Sequence, residues 1–310
     1  MRAAVIFGPG RSARDLKPFQ TTPGITWQSG SPAPSNDADV ILIVGGDGTI
    51  HRHLSQLVTL GRPVLVVPSG SGNDFARSLG LRTVHDSLHA WRAFCASPPN
   101  ARTNVQENVR EIDLGLIVPL EAEGDGAGPS AANANSRLGT RYFCCVAGIG
   151  LDAEAARRAN AMPRWLRGHG GYALALAPAL FQFVPVRTKI QTAAENTWTA
   201  RSHQPALLAA FANTPYYGGG MKIAPRAHMY DGLLDGCIIT SINLFKLLCL
   251  FPTVYFGRHL GIREVDYFQA SAVRIEPETP LDVYADGEFV CRTPVEIAIE
   301  RAALRVIVGT

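Results

Sequence analysis

The sequence lacks the motifs that assign a chain to the common nucleotide-binding and hydrolytic enzyme classes. It contains no GxxxxGKS/T phosphate-binding loop, no HRD or DFG kinase signature, no GxSxG nucleophile elbow and no GxGxxG dinucleotide fingerprint. Each of these motifs places a backbone cradle or a reactive side chain where its chemistry needs it. Their absence argues against a P-loop NTPase, a protein kinase, an α/β-hydrolase and a dehydrogenase.

Charged residues and paired cysteines are also scarce. Only 18% of the residues are charged and the net charge is +3, a mildly basic balance. This balance is too weak to indicate nucleic acid, and it suits anionic substrates or an anionic membrane surface. The six cysteines form no CxxC pair, which is typical of reduced, mostly buried thiols in a cytosolic protein.

Apolar runs of membrane-spanning length are missing as well. The two longest candidates, residues 172–184 and 237–256, are interrupted by Pro178 and by Lys246 with Pro252, so neither predicts a transmembrane helix. The apolar run near the first residue is too short for a signal peptide. We therefore expect a cytoplasmic protein whose 310 residues suffice for two domains and a sizeable core.

The chain is organised around residues 40–49, VILIVGGDGT. A short apolar, β-branched run that ends in glycines predicts a buried parallel strand, and such strands bind ligands at their carboxyl ends. The glycines allow backbone N–H groups to approach a phosphate, and Thr49 is expected to cap the helix that follows. Because a carboxylate repels a phosphate unless a cation lies between them, Asp47 indicates Mg²⁺. A plain acidic strand-to-helix turn is the alternative interpretation.

The first half of the chain repeats this pattern of strand, loop and helix. Further strands are predicted at residues 3–7, 24–28 and 64–67. The alternation predicts a doubly wound α/β domain, and the last strand ends in a second glycine-rich loop, PSGSGND, at the same sheet edge. In this loop Ser71 offers a hydroxyl to phosphate, Asn73 is expected to hold the loop, and Asp74 brings a second carboxylate. Taken alone, a loop with a helix N-cap is the simpler interpretation.

The pattern changes after about residue 105. Short, alternating and turn-rich runs follow, and they predict an antiparallel sandwich or barrel. These runs are EIDLGLIV, RYFCCVAGI, TKIQTA, PALLAAFAN, GLLDGCIIT, SAVRIE, LDVYADG, VEIAIE and LRVIV. A polar insertion at residues 121–137 predicts a mobile loop. Two helical patterns are also present; one begins near Asp152 and the other covers residues 243–256.

Three acidic turns in the second half are weak signals by themselves. Asp113 stands near the start of a predicted strand, where an aspartate usually satisfies a turn. The Asp-Gly pair that begins at Asp286 predicts a β-hairpin turn immediately before Glu288. Residues 215–235 contain three successive glycines and then Asp231; such an irregular segment is able to hold Mg²⁺ or Ca²⁺, and a simple turn is an equal alternative.

A basic segment precedes the apolar residues 172–184. It contains Arg157, Arg158, Arg164, Arg167 and His169, with Trp165 among them. Basic residues, a tryptophan and an apolar helix are typical of an interfacial membrane surface. A helix packed on the core with a solvated basic end is the alternative, and it is slightly favoured.

Taken in order, six segments resemble the diacylglycerol kinase catalytic-domain family. These are soluble lipid kinases that include bacterial diacylglycerol kinases and sphingosine and ceramide kinases, with NAD kinases as more distant relatives. The segments are VGGDGTIHRHLSQL, PSGSGNDFARSLGL, IDLG, FCCVAGIGLDAEA, NTPYYGGGMKIAPRAHMYDGLLD and ADGE. The resemblance implies an N-terminal doubly wound α/β nucleotide-binding domain at residues 1–113. It implies a C-terminal antiparallel β-sandwich lipid-substrate domain at residues 114–310, whose last residues return to the first domain, with the active site between the two.

The resemblance also implies an activity. It implies an ATP- and Mg²⁺-dependent kinase that phosphorylates a primary hydroxyl of a lipid, foremost diacylglycerol to phosphatidic acid. A sphingosine- or ceramide-type kinase, an NAD-kinase-like enzyme and a non-catalytic nucleotide- or lipid-binding regulator are the alternatives. The implied partners are ATP and a lipid with a free hydroxyl, with peripheral contact at the inner membrane face and no nucleic acid; a homodimer is left open.

Site residues follow from the same resemblance. The nucleotide contacts fall on Gly45, Gly46, Asp47, Gly48, Thr49, Ile50, His51, Ser71, Asn73 and Thr26. The catalytic Mg²⁺ network falls on Asp47, Asp74, Asp113 and Asp286. Glu288 falls on the general base, and Asp47 and Asp286 are its catalytic partners. A structural Mg²⁺ site falls on Asp231 with the carbonyls of His228 and Leu233. His51 departs from the family's usual Asn, and Ser71 replaces a commoner Thr while keeping the hydroxyl.

Overall fold

The computed structural model describes residues 1–31, 38–96, 107–120, 140–162, 178, 183–194, 197–240 and 242–309. Three predicted features lie wholly or mostly outside the described residues. They are the polar insertion at 121–137, the basic cluster at 164–169 and the apolar run at 172–184.

The first half of the chain forms four parallel strands, β1 Arg2–Phe7, β2 Thr26–Ser29, β3 Val40–Gly45 and β4 Val64–Pro68. Their order in the sheet is β2–β1–β3–β4. Every residue of β3 and β4 is buried, as expected for apolar, β-branched runs that are enclosed on both faces. Gly45 pairs with Pro68, so the two glycine-rich loops leave the sheet side by side.

Four helices belong to this half, α1 Ala13–Leu16, α2 Asp47–Leu60, α3 Asp74–Ser78 and α4 Val84–Ala96. Helix α2 has Gly46 as its N-cap. Gly61 follows the last helical residue as the C-cap, with a left-handed φ of 58°. The prediction that Thr49 caps α2 is wrong. The chain is already helical from Asp47, so Thr49 lies buried inside the first turn.

The second half of the chain is mainly antiparallel, as predicted. Its strands are β5 Val109–Pro119, β6 Arg141–Phe143, β7 Val146–Gly150, β8 Val186–Ala194, β9 Thr197–Ala212, β10 Leu234–Thr240, β11 Val265–Ala270, β12 Ala272–Pro277, β13 Asp282–Ala285, β14 Glu288–Arg292 and β15 Val295–Ile307. Among the described residues of this half, helices α5 Leu151–Ala161 and α6 Leu244–Tyr255 accompany the strands. Short 3₁₀ helices lie at Phe19–Thr21 and His259–Gly261.

The antiparallel half has its own hydrophobic core. Side chains from β5, β9, β10, β12 and β15 meet there, among them Ile117, Phe211, Ile238, Val273 and Ile297. Each of these five is at most 1% exposed. The arrangement confirms the predicted pairing of an α/β domain with a β-sandwich.

Strand β15 ties the two halves together. It pairs with β12 and β5 along its length and reaches β4 where Val306 lies opposite Val64. Its ladder with β5 is interrupted between Glu300 and Leu304, where Ala302 has a φ of 50°. This irregularity divides the strand into the two runs that the pattern predicted as separate strands. The domain limit at residues 113 and 114 stays a prediction; it falls inside β5.

Two strands were absent from the predictions, β11 and β14. Strand β14, EFVCR, follows a tight turn directly and its side chains are half-buried or exposed, so no apolar alternation reveals it. Within the described ranges, no helix is both long enough and apolar enough to cross a membrane.

Candidate active site

Two glycine-rich loops meet backbone to backbone at the carboxyl ends of β3 and β4. A Cβ atom on Gly46 would lie 2.7 Å from the Cα of Gly70, and one on Gly70 would lie 2.5 Å from the Cα of Gly46. Asn73 holds the second loop as predicted, because its Oδ1 accepts a bond from the Gly70 N–H at 2.8 Å and its Nδ2 donates to the Gly70 carbonyl at 2.9 Å. The loops therefore form one cradle, and neither Gly46 nor Gly70 has space for a side chain.

The cradle lies at the N-terminus of α2, which suits an anion. Backbone N–H groups in the first turn of a helix have no intrahelical acceptor, and the helix dipole adds positive potential there. Asp47 and Gly48 occupy this turn. Together with Gly45, Gly46 and Ser71 they line a cleft of about 480 Å³.

Three other predicted nucleotide contacts differ in their place relative to the cleft. Thr49 is among the lining residues but is buried beneath the cradle, where its Oγ1 lies 2.8 Å from the position of a Cβ on Gly45. Ile50 has its side chain in the core, and its N–H donates to the Gly46 carbonyl at 3.2 Å. Thr26 is not brought to the cleft, because it begins β2 opposite Arg2 and so lies at the amino ends of the parallel strands.

Replacing Gly46 with alanine is expected to lower the free energy of unfolding by about 1–3 kcal/mol, because the methyl group would collide with the backbone of the second loop. The loops must then separate, so nucleotide affinity falls as well. Gly261→Ala is the matched control, since a Cβ there meets open space. Denaturant unfolding and equilibrium ATP binding measure the two effects. Equal stability of the two variants would show that the loops do not touch.

Asp47 and Asp74 bring two carboxylates to the cleft. Asp47 accepts bonds from the backbone N–H groups of Asp74 and Phe75 at 3.0 and 3.1 Å. Burial and the neighbouring Asp74 carboxylate raise the pKa of Asp47 to about 7. Burial also raises the pKa of Asp74, although the Gly219 N–H and the Arg77 guanidinium oppose it. The pair concentrates negative charge that a cation would relieve.

The turn between β13 and β14 places Glu288 opposite the cradle. Asp286 has a φ of 51°, and Ala285 pairs with Glu288 across the turn, which is the predicted hairpin. The Glu288 Oε1 lies 2.8 Å from the position that a Cβ on Gly48 would occupy. The bare backbone of Gly48 therefore leaves room for this carboxylate beside the N-terminus of α2.

Asp286 and His51 connect the two halves behind this turn. The Asp286 carboxylate accepts bonds from the backbone N–H groups of Cys144 and Cys145, each at 2.8 Å. His51 Nδ1 lies 3.1 Å from the Asp286 Oδ2. Burial lowers the pKa of His51, but the hydrogen bond and the charge of Asp286 outweigh it, so the pKa of His51 is raised overall.

Asp113 is not brought to the cleft, contrary to its predicted place in the magnesium network. Its Oδ1 accepts a bond from the Ala302 N–H and its Oδ2 from the Gly232 N–H, each at 2.8 Å. Both oxygens thus satisfy backbone donors in other segments. Asp113 fastens the turn at Gly232 to β15, which agrees with the simpler interpretation of an aspartate that satisfies a turn.

Asp113→Ala is expected to destabilise the protein by about 1–3 kcal/mol, because it leaves the buried backbone N–H of Gly232 and the part-buried N–H of Ala302 without an acceptor. Asp113→Asn keeps one acceptor oxygen, so it should cost less. Chemical denaturation measures both variants, with turnover measured per folded molecule. If stability were unchanged and turnover were lost, Asp113 would have a direct role in the reaction rather than a structural one.

The predicted structural Mg²⁺ residues lie in one irregular turn close to Asp113. Asp231 and His228 are exposed, Leu233 is half-buried, and the Asp231 Oδ1 accepts a bond from the Leu233 N–H at 3.0 Å. This bond closes the turn. The metal role of these residues stays a prediction.

Several residues in the cleft, or bonded to its lining, were missed by the sequence-based predictions. Arg77 donates from Nη1 to the Asp74 Oδ1 at 2.6 Å, and Arg11, Arg52 and Tyr255 line the cleft. The Asp74 and Arg77 pair has the i,i+3 helical spacing visible in NDFAR, so that signal was available. Arg11 and Tyr255 reach the cleft from distant segments that carry no local signal for it.

The carboxylate pair fits a hard divalent cation. The Oδ2 atoms of Asp47 and Asp74 lie 3.1 and 3.4 Å from the position of a Cβ on Gly72, so they face the same space. Carboxylate oxygens are the ligands that Mg²⁺ prefers, and Mg²⁺ keeps several waters. In the part of the chain that the structure describes, no three His, Cys, Asp or Glu side chains are arranged to hold one ion. A cation here would therefore be held partly through water.

Comparison with known proteins identifies two family domains in the chain. Residues 19–117 match the diacylglycerol kinase catalytic domain, and residues 145–308 match the YegS C-terminal NAD kinase beta sandwich-like domain. A diacylglycerol kinase of Mycobacterium tuberculosis (strain H37Rv) is 33% identical over 276 residues, which is 89% of this chain and 78% of that protein. The putative lipid kinase YtlR of Bacillus subtilis (strain 168) is 26% identical, covering 86% of this chain and 79% of that protein.

A solved structure has the same fold. The crystal structure of a putative diacylglycerol kinase from Bacillus anthracis str. Sterne matches with a TM-score of 0.67 at 18% identity, covering 99% of this chain and 97% of that chain. The fold is thus a parallel α/β sheet joined to a β-sandwich. The two family matches and the 33% identity show that the chain belongs to the diacylglycerol kinase family of lipid kinases.

Proposed function

We propose that this lipid kinase transfers the γ-phosphate of ATP to the primary hydroxyl of diacylglycerol and so forms phosphatidic acid. One observation carries the proposal: the glycine cradle at the N-terminus of α2 and the Glu288 carboxylate, from opposite halves of the chain, face one cleft. A phosphate donor and a base for the acceptor hydroxyl are the two things that such a transfer needs.

The cradle is proposed to hold the ATP phosphates. The N–H groups of Asp47 and Gly48 lie in the first turn of α2, and the closely packed Gly46 and Gly70 let the phosphates approach the backbone. Ser71 adds an exposed hydroxyl at the rim of the same cleft. Positioning of this kind supplies much of the catalysis in phosphoryl transfer.

Mg²⁺ is proposed as the cofactor, held by Asp47 and Asp74 with Asp286 behind them. When bound, Mg²⁺ would neutralise negative charge on the phosphoryl group that is transferred. Arg77 holds the Asp74 carboxylate from the side, through the 2.6 Å bond to Oδ1. Asp47 is held by two backbone N–H groups, so its orientation is set before any ligand enters.

Glu288 is proposed to accept the proton of the lipid hydroxyl as that oxygen attacks the γ-phosphorus. Its carboxylate lies beside Gly48, next to the proposed phosphate site. It comes from β14, so the second half of the chain supplies the base and the first half the phosphate cradle. A positioned base of this type contributes about 10²–10⁴-fold to the rate.

Diacylglycerol is the acceptor that the relatives favour, since the M. tuberculosis protein with 33% identity is named a diacylglycerol kinase. The proposal includes reversible contact with a membrane surface. Tyr255 lines the cleft and the next residue, Phe256, is 72% exposed at the end of α6. An exposed aromatic side chain beside the cleft suits a substrate whose tails stay in a bilayer.

A transfer assay with radiolabelled ATP and Mg²⁺ tests the proposal. Mixed micelles would present diacylglycerol, monoacylglycerol, ceramide or sphingosine, with NAD in parallel and Asp47→Ala as the blank. We expect label in diacylglycerol that is lost in the blank. Label in ceramide or sphingosine would reassign the lipid, label in NAD alone would reject a lipid acceptor, and no label with ATP still bound would favour a regulator.

A further inference from the structure

Helix α2 meets the turn that carries Glu288 at two places. Gly48 lies beside the Glu288 carboxylate, and His51 contacts Asp286. Building on the proposed function, we propose that His51 is a positioning residue: it holds the Asp286–Glu288 turn against α2 and thereby sets the position of the Glu288 carboxylate. This role differs from the nucleotide contact that the resemblance implied. It is carried by the hydrogen bonds around Asp286 and by the spacing of residues along α2.

His51 reaches the turn from the other half of the chain. Its Nδ1 lies 3.1 Å from the Asp286 Oδ2, and the two side chains are 12% and 2% exposed. Because the Asp286 carboxylate is an acceptor, His51 Nδ1 carries the proton in this contact. Gly48, Thr49 and Arg52 line the cleft, whereas His51 is not among the described residues that line it. We therefore expect its effect on the reaction to pass through Asp286, its hydrogen-bond partner.

Asp286 makes several hydrogen bonds that hold the turn in place. Its carboxylate also accepts the backbone N–H groups of Cys144 and Cys145, and its own N–H donates to the Val146 carbonyl at 3.0 Å. These bonds fix the turn to the segment between β6 and β7. They all lie within the second half of the chain, so they do not by themselves fix the distance between Glu288 and the cradle.

The surface of α2 is complementary to this turn. Gly48 and His51 are three residues apart, so they lie on the same face of the helix. The absent side chain at Gly48 leaves room for the Glu288 carboxylate, whose Oε1 lies 2.8 Å from the Cβ position. The imidazole of His51 bonds to Asp286, two residues before Glu288. One helix face thus receives both ends of the turn.

The turn has left-handed φ values, 51° at Asp286 and 83° at Gly287. Aspartate tolerates this region and glycine adopts it freely, so the local sequence favours the shape of the turn but does not fix its distance from α2. Asn160 supports the opposite side by donating from Nδ2 to the Gly287 carbonyl at 2.6 Å. Without the His51 contact, the hydrogen bonds seen for Asp286 and Gly287 among the described residues all come from the second half of the chain, so we expect Glu288 to move relative to the cradle.

His51→Leu and His51→Asn form the matched pair that tests this inference. Leucine removes the donor, whereas the asparagine Nδ2 takes a place equivalent to Nδ1 and keeps a donor. We expect His51→Leu to lower kcat by about 10–100-fold, because a displacement near 1 Å costs about that much. The Kd for ATP should stay within about threefold, and His51→Asn should recover most of kcat. In the Glu288→Gln background His51→Leu should cost little more, because both changes act through one group.

Amide hydrogen exchange on the full chain separates this inference from the proposed function, since it needs no substrate. His51→Leu should speed exchange at residues 144–146 and 286–288 and leave residues 64–68 unchanged, and His51→Asn should restore protection. Unchanged exchange at 286–288 in His51→Leu would overturn the positioning role even if lipid transfer is verified. A loss of ATP affinity with kcat preserved would instead make His51 a nucleotide contact. If exchange responds as expected while no lipid is labelled, the proposed function fails and the positioning role stands.

Discussion

Glu288→Gln is expected to lower the rate of phosphate transfer by about 10²–10⁴-fold while ATP affinity changes little. The amide has nearly the same shape as the carboxylate but cannot accept the proton of the acceptor hydroxyl. Because Glu288 lies beside Gly48 rather than within the cradle, the bound phosphates lose no donor. Single-turnover transfer and equilibrium ATP binding measure the two quantities separately.

A matched control is Glu278→Gln, which removes the same charge from an exposed glutamate that pairs only at the surface with Arg187. This variant should transfer phosphate at the unmodified rate, since exposed ion pairs contribute little. Full activity of Glu288→Gln in a verified lipid assay would remove Glu288 from the role of base. Loss of ATP binding together with turnover would place it in the nucleotide site instead.

Without divalent cations, the free energy of unfolding is expected to fall as the pH rises from 5 to 8. The unfolded chain releases the Asp47 proton near the ordinary pKa of 3.8, whereas the folded protein keeps it up to about 7. Between these values the folded state binds more protons, so deprotonation costs stability until the pH passes about 7. The full shift corresponds to at most about 4 kcal/mol, and water that screens the half-buried carboxylate reduces it.

Mg²⁺ should reverse this loss at pH 8 and have little effect at pH 5, because it binds the ionised carboxylates. His51 acts in the same direction, since its raised pKa also favours the folded state at lower pH. Asp47→Asn isolates the contribution of Asp47 and should flatten the pH dependence. Melting temperatures in EDTA and in Mg²⁺ across this pH range measure the effect. Stability that rises with pH equally in both proteins would contradict a proton held on Asp47.

The sequence was most informative where local chemistry and fold agree. The run VILIV at residues 40–44 predicts β3 because a buried parallel strand needs unbroken β-branched residues. The Asp-Gly pair at 286 and 287 predicts the turn because its backbone needs left-handed φ values. The Asn73 bond to Gly70 is equally local. In each case the determining interactions lie within a few residues of the motif.

Features set by distant contacts could not be predicted in this way. The Asp113 carboxylate accepts hydrogen bonds from Gly232 and Ala302, which are more than a hundred residues away in the sequence. The residues next to Asp113 in the sequence therefore do not show that both of its oxygens are occupied. Thr49 is buried against Gly8 and Gly45 rather than capping α2, and only the packing of β1, β3 and α2 decides this. Thr26 was matched through the resemblance to a threonine at the end of the second strand, whereas it is the first residue of β2 and so lies at the opposite sheet edge.

The same distinction applies to the candidate site. The glycine loops and the acidic turn carry their own signals, whereas the contact between His51 and Asp286 spans 235 positions and needs the whole fold. Arg11 reaches the second loop in the same manner, by donating to the Ser69 carbonyl. The meeting of the two glycine-rich loops at one sheet edge could therefore be predicted from the sequence, and the contact between His51 and Asp286 could not.

A crystal structure of the full chain with a non-hydrolysable ATP analogue and Mg²⁺ tests the central claim most directly. The claim is that the glycine cradle holds the phosphates of ATP and presents the γ-phosphorus toward Glu288. We predict phosphate oxygens on the N–H groups of Asp47 and Gly48, Mg²⁺ beside Asp47 and Asp74, and the γ-phosphate between Gly48 and Glu288. A nucleotide bound with its phosphates outside this cleft, or with the γ-phosphate directed away from Glu288, would contradict the account.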